Sequence, residues 1–174
     1  MKQMYTLDSQ SRLKSMAMIH EKLYISNDLS HINIKEYTEK LVSDIFYTYG
    51  VRVGTIKSKL NVKDVVLNME TAIPIGLIIN ELITNGIKYA YPDVKNGTIT
   101  VELTKNGSDF TLIIADDGVG LPEHIDYQDT VSLGLQLVNN LVKQIDGKIT
   151  IDQSNGTEFN IKFKELEYKE RIEG

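Results

Sequence analysis

Apolar positions recur along this chain with two periods, near four in some stretches and near two in others, which predicts helices alternating with strands. Between residues 8 and 25, Leu13, Met16, Ala17, His20, Leu23 and Tyr24 share one face of an early helix. Asn33, with Glu36 three residues on, marks an N-cap and a partial capping box. The helix it opens carries Ile34, Tyr37, Leu41, Ile45 and Tyr49 on its buried side and ends near Gly50. Short strands are expected over 51–60 and 64–69, the second from Val65-Val66-Leu67. Pro74 suits the first turn of a third helix, which runs to about Ala90 and stops before Pro92. Strands over 98–105 and 110–115 follow, joined at Asn106-Gly107 in a hairpin. Residues 117–131, rich in glycine, aspartate and polar side chains, read as a loop. Leu135, Leu137, Val138, Leu141, Val142 and Ile145 give a last helix closed by Gly147. A second hairpin, 148–153 and 157–164, turns at Asn155-Gly156, and the charged tail after Glu165 is expected to fray.

This order describes an α+β two-layer sandwich, with helices on one face of a mixed β-sheet. A length of 174 residues allows one well-cored domain with a short appendage. With 41% hydrophobic and 25% charged residues the chain falls among ordinary globular proteins. A net charge of -5 argues against a duplex-binding surface and so against a nucleic-acid partner, yet leaves room for an anionic ligand held by a few local donors. The absence of cysteine excludes disulfides, thiolate zinc sites and a thiol nucleophile. His20, His31 and His124 are too scattered for a metal motif. No apolar run reaches the roughly 18 residues that span a bilayer, and no signal-peptide core opens the sequence. Taken alone the chain reads as cytoplasmic, with room for a membrane-associated part in a longer protein.

Pattern and packing logic disagree first on the third helix. It is apolar almost all round, yet it holds Asn80, Glu81, Asn85 and Lys88. At about 100° per residue, Glu81, Asn85 and Lys88 fall within about 60° of one another. One reading is a solvent face with a weak Glu81–Lys88 pair. The other is a metal–phosphate site, with the Asn85 amide oxygen on Mg²⁺, Lys88 neutralising phosphate, and Glu81 accepting a proton or holding a metal-bound water. The stripe alone does not decide. Asp116-Asp117-Gly118-Val119-Gly120 follows directly on a strand. Its first carboxylate can accept from an exocyclic amine such as that of adenine, while the glycines admit close backbone approach. A plain glycine-rich turn is the alternative, and the EF-hand spacing of a calcium loop is absent. Ser132-Leu133-Gly134-Leu135 opens the last helix, whose free N–H groups either seat a phosphate or are simply capped by Ser132. Neither a Walker A loop nor a Rossmann fingerprint is present. What remains is a nucleotide site built from a polar helix stripe, a strand-end aspartate and a helix N-terminus.

These segments, in this order, resemble the ATP-binding domain of the histidine kinase, gyrase, Hsp90 and MutL superfamily, a Bergerat-type fold. The stretch Asn80-Glu81-Leu82-Ile83-Thr84-Asn85-Gly86-Ile87-Lys88-Tyr89-Ala90 resembles the N box. Asp116 to Pro122 resembles the first glycine box, Ser132 to Val138 the second, and Gly156-Thr157-Glu158-Phe159 the closing strand. The Asn-Glu-Leu N box and the segment Arg12–Tyr24 narrow the likeness to the second-type sensor histidine kinases. There the early helix belongs to the dimerising hairpin ahead of the ATP domain. The resemblance therefore implies a partial dimerisation helix over 1–28, the ATP domain over 29–168 and a tail over 169–174.

By position, the resemblance implies that Asn85 ligates Mg²⁺ and that Glu81 is the polarising or proton-accepting carboxylate. Lys88 and Tyr89 would contact phosphates, and Asp116 the adenine amino group. Gly118, Gly120 and Leu121 would shape the pocket. Leu133, Gly134 and Leu135 would bring backbone amides to the phosphates, and Thr157 would support Asp116 or a bridging water. Residues 119–131 would form a mobile lid. Three departures stand out. Gly86 occupies a position where alanine is commoner, loosening the helix by up to ~1 kcal/mol. Ser132 replaces a glycine. The His-His-Arg-x-x-Asn-Asn-like phosphoacceptor segment is not in the sequence, and His20, on the later helix, reads as a packing residue.

The implied activity is γ-phosphoryl transfer from Mg-ATP to a histidine on an upstream phosphoacceptor helix, within a two-component phosphorelay. A response-regulator receiver domain and a homodimer of the full-length protein are the implied partners. Three alternatives compete. An anti-sigma-type protein-serine kinase is opposed by the Met16–Tyr24 segment. A gyrase- or MutL-type ATPase would use Glu81 to activate water and needs a transducer domain for which the chain is too short. A degenerate docking domain is opposed by the intact boxes.

Overall fold

The computed structural model describes residues 32–51, 55–92, 96–121 and 133–167, together with Leu13 and Ala17, both helical. The rest of the helix expected over 8–25, with His20, lies outside the described residues, as do Ser132, most of the lid and the tail beyond Glu167. Asn33 caps as its spacing predicts, its Oδ1 accepting the Glu36 N–H at 3.0 Å. The helix α1 (Ile34–Thr48) therefore starts directly after the two-residue strand β1 (Ile32–Asn33). β2 (Ile56–Val62) and β3 (Val66–Leu67) follow, and β3 pairs antiparallel with β1. The first of these was expected over 51–60. Its partner decides its limits, because β2 runs parallel to β4 (Gly97–Asn106) from Ile56–Gly97 to Val62–Leu103.

Between them α2 (Met69–Asn85) begins a turn earlier than Pro74 suggested. Asn68 is the cap, with Oδ1 accepting the Thr71 N–H at 2.9 Å. It is fixed from far along the chain: its N–H donates to Glu165 Oε1 and its Nδ2 to the Leu166 carbonyl, both at 2.6 Å. Pro74 is thereby left inside the helix, buried. The helix also changes character before its expected end, passing at Gly86 into a π-helical turn (Gly86–Ala90).

β5 (Asp109–Asp116), α3 (Leu133–Gln144), β6 (Lys148–Asp152) and β7 (Thr157–Lys164) complete the chain. The first hairpin pairs Asn106 with Asp109, so its two-residue turn is Gly107-Ser108, one residue later than the Asn-Gly signal implied. Positive φ is needed only at Gly107, at 62°. α3 ends with Gly147 N–H on the Val142 carbonyl at 2.9 Å and Asp146 N–H on Lys143 at 3.1 Å, the Schellman pattern. Asp146, at φ 50°, takes the left-handed position expected of Gly147.

The five-stranded sheet has the order β2-β4-β5-β7-β6, with one parallel pair and three antiparallel ones. Alternate residues Ile99, Val101, Leu103, Phe110, Leu112, Ile114, Phe159, Ile161 and Phe163 are buried, facing the helices. This is the two-layer α+β sandwich with a mixed sheet that the pattern predicts. α2 packs against both α1 and α3. The Tyr37 hydroxyl closes on Gly76, where any Cβ would overlap it, and twelve residues further along each helix Lys88 meets Tyr49. α1 and α2 therefore run side by side in the same direction.

Candidate active site

The polar stripe of α2 is not a solvent face. Glu81 is 4% exposed and Asn80 1%, and Asn80 Nδ2 donates to Glu81 Oε1 at 3.3 Å. A buried carboxylate on an apolar helix is costly unless something offsets its charge. The start of α3 is placed to do so. A Cβ on Gly134 would lie 2.9 Å from Glu81 Oε2 and 3.8 Å from both polar atoms of the Asn85 amide. The N-terminus of α3, with its free N–H groups and positive dipole end, thus crosses the Glu81–Asn85 line. Thr84, buried one residue before Asn85, has an Oγ1 without a hydrogen-bond partner among the described residues.

Asp116 ends the central strand, paired with Ile99 on one side and Thr157 on the other. Its Oδ1 accepts the Gly118 N–H at 3.0 Å, and Thr157 donates through both backbone and hydroxyl. Burial pushes the carboxyl above the usual range; the Gly118 and Thr157 bonds pull against it and the neighbouring Asp117 charge adds to it. The surrounding glycines are contact points between chain segments. A Cβ on Gly118 would overlap the Ala90 carbonyl, and one on Gly156 the Asp116 carbonyl. Gly156 also sits at φ 84°, so it is required on two counts. Gly120 would carry its Cβ 3.3 Å from the Gly156 carbonyl. The departure at Gly86 acquires a reason as well: a Cβ there would press on Ile99 Cδ1 at 3.1 Å, beside Asp116.

Two residues of this region were missed in the sequence. Asp117 Oδ1 accepts the Thr98 N–H at 2.7 Å and the Tyr91 hydroxyl at 2.8 Å, while that hydroxyl lies 2.8 Å from the Thr98 carbonyl. Burial works to raise Asp117, but these donors outweigh it and hold the carboxyl below the usual range. The Tyr91 ring occupies the space a Cβ on Gly97 would need, and the Val119 N–H reaches the Ala90 carbonyl at 2.9 Å. This clamp fixes the backbone on which Asp116 stands. Only the strand register that pairs Ile99 with Asp116 could have pointed to it.

The structure thus brings Glu81, Asn85 and Gly134 together, and Asp116, Gly118, Gly120 and Thr157 together. The remaining expected residues are placed as follows. Lys88 leaves the stripe because the π turn advances fewer degrees per residue than an α-helix, and its Nζ lies 5.5 Å from the Tyr49 ring centroid. Tyr89 and Leu133 are exposed, at 61% and 67%. Leu135 is buried in the core and Leu121 packs against it. Among the described residues no group of three or more His, Asp or Glu could hold a metal unaided. An amide oxygen beside one carboxylate instead suits a cation that keeps waters and phosphate oxygens, as Mg²⁺ does.

A two-layer sandwich with a strand-end aspartate, a polar helix stripe and a facing helix N-terminus defines a nucleotide-binding class of domain. The chain belongs to the histidine kinase-, DNA gyrase B- and HSP90-like ATPase family, whose model matches residues 70–167. A further family model, described as histidine kinase, matches residues 2–49, in keeping with the second-type subfamily. Sensor histidine kinase PdtaS of Mycobacterium tuberculosis is 28% identical over 152 residues, covering 82% of this chain and 28% of that protein. Blue-light-activated histidine kinase 2 of Erythrobacter litoralis is 27% identical over 156 residues, covering 86% and 44%. The chain therefore spans less than half the length of these curated relatives. The histidine kinase domain of the Erythrobacter litoralis EL346 blue-light activated histidine kinase superposes with a TM-score of 0.83 at 25% identity, covering 90% of this chain and 78% of that one.

Proposed function

We propose that this domain binds Mg-ATP and transfers its γ-phosphoryl group to a histidine of an upstream phosphoacceptor helix, in two-component signalling. The observation that carries the reading is the N-terminus of α3 closing on Glu81 and Asn85 through Gly134. Free N–H groups there can receive phosphate oxygens. Asn85 supplies the oxygen for Mg²⁺, which would neutralise phosphate charge. Glu81, buried beside it, polarises the acceptor or takes its proton, and Lys88 adds positive charge. Asp116 accepts from the adenine amino group, held by Thr157 and Gly118. The bond to the leaving ADP oxygen breaks as one to an imidazole nitrogen forms, and this chain contributes mainly positioning and charge neutralisation. Residues 1–28 belong to the helical hairpin and 29–168 to the ATP domain, with a receiver domain and a second copy of the full-length protein as partners. ATP as substrate places the domain on the cytoplasmic side; among the described residues no helix is long and apolar enough to cross a membrane.

Calorimetric titration of ATP with and without Mg²⁺, on the native chain and on Asp116→Ala, tests the site. Mg-dependent binding that disappears in the variant is expected. Binding unchanged by Asp116→Ala would sink the assignment of the adenine pocket. Acid-labile rather than acid-stable phosphate on the acceptor separates histidine from serine transfer.

A further inference from the structure

Lys88 does not point where its neighbours do. Glu81 and Asn85 face α3, whereas the Lys88 ammonium stands over Tyr49 on the α1 flank, 5.5 Å from the ring centroid and within cation–π range. Tyr49 is the C-cap of α1, and α1 carries no basic residue in its own last turn. Lys88 thus stands over the side chain of the residue that ends that helix. The seat is rigid. Tyr49 is half-buried against the core, its N–H bonds the Ile45 carbonyl at 3.0 Å, and Tyr37 on Gly76 locks the same two helices further back.

We propose that Tyr49 is a positioning residue for Lys88, holding its ammonium on the α1 flank until ATP phosphates draw it away. The inference rests on the reading of this site as an ATP site. A ring face holds a cation less firmly than phosphate oxygens do, so the transfer runs toward the nucleotide. Lifting Lys88 from its seat nevertheless costs part of the binding free energy, as any equilibrium that precedes binding does. The C-terminus of α1 thereby registers whether phosphates are present.

The test uses the whole 174-residue chain, titrated calorimetrically with Mg-ATP and separately with adenosine, which has the base but no phosphates. Tyr49→Leu is expected to bind Mg-ATP roughly two- to ten-fold more tightly, the range a partly exposed cation–π contact spans. Tyr49→Phe, which keeps the ring, stays at the native affinity, and adenosine binds all variants alike. In a Lys88→Met background Tyr49→Leu has no effect. In ¹³C-lysine-labelled protein the Lys88 Hε resonance, shifted by the ring, moves on adding Mg-ATP and not on adding adenosine. Unchanged or weaker Mg-ATP binding by Tyr49→Leu overturns the proposal, as does an effect that persists without Lys88 or extends to adenosine. If the native chain binds both ligands and the Lys88 resonance stays still, this inference alone fails. If the native chain binds neither, the ATP-site reading falls and takes the inference with it.

Discussion

The two ends of the sheet are built by different means. At the end where β5 begins, side chains do the fastening. The Asn68 side chain makes two hydrogen bonds and the Glu165 carboxylate accepts the Asn68 N–H, Thr71 Oγ1 accepts the Leu166 N–H at 2.9 Å, and Phe110 stacks on Phe163 with centroids 5.2 Å apart. At the end where β5 finishes, segments meet largely through Gly86, Gly118, Gly134 and Gly156, with a single side-chain clamp of Asp117 on Tyr91 and Thr98 beside them. A region that fixes itself with side chains has few to offer a ligand. One that joins its segments largely through glycine backbone leaves Glu81, Asn85 and Asp116 lining the space between, and depends on close approaches that an added Cβ would crowd.

That contrast can be broken from either side. Gly156→Val carries the largest expected effect: overlap with Asp116 and a disallowed φ should cost about 3 kcal/mol or more, read as a lower denaturation midpoint with nucleotide binding lost. Asn68→Ala at the opposite end should cost about 2 kcal/mol through a lost cap and unpaired Leu166 carbonyl. Its ATP affinity should stay native, and a parallel loss of binding would contradict the separation of the ends. Tyr91→Phe removes one donor from Asp117 and should cost about 1 kcal/mol, with a several-fold loss of ATP affinity that calorimetry would detect. Smallest is Asp146→Gly, which relieves a left-handed aspartate and should raise stability by about 0.5–1 kcal/mol.

The adjacent carboxyls should also separate by pH. Asp116 has a raised pKa in the fold, so its ionisation opposes folding at neutral pH and that opposition fades as pH falls through the folded value. Its proposed bond from the adenine amino group weakens in the same interval. Asp117 has a lowered pKa, so its contribution to stability is present above the unfolded value and survives until pH falls through the lower folded one. ATP affinity should therefore decline on acidification before the clamp opens. Coincident loss of binding and of tertiary structure would argue against these two roles.

Much of this was legible locally. The cap at Asn33, the alternation of β4, β5 and β7, and the glycine clusters are properties of short windows, and the structure keeps them. The ordered boxes also carried the family, because their chemistry is linear in the chain. What escaped was set by distant partners. Asn68 starts α2 because Glu165 and Leu166, 97 and 98 residues on, hold it. Asp117 and Tyr91 acquire their clamp only when β4 lies beside β5. Lys88 was misplaced because an even helical period was carried through residues that do not keep it.

The π turn at Gly86–Ala90 has a consequence for alignment. Such a turn is equivalent to one extra residue threaded into an otherwise regular helix. Any sequence compared across it in strict helical phase will mismatch every position after Asn85 by one place. Lys88 stands three residues after Asn85, so a deletion at Gly86 or Ile87 would leave it two residues on, about 200° round a regular helix and on the far side from Asn85. The length of the turn, as well as the identity of its residues, thus sets which flanking helix this lysine faces.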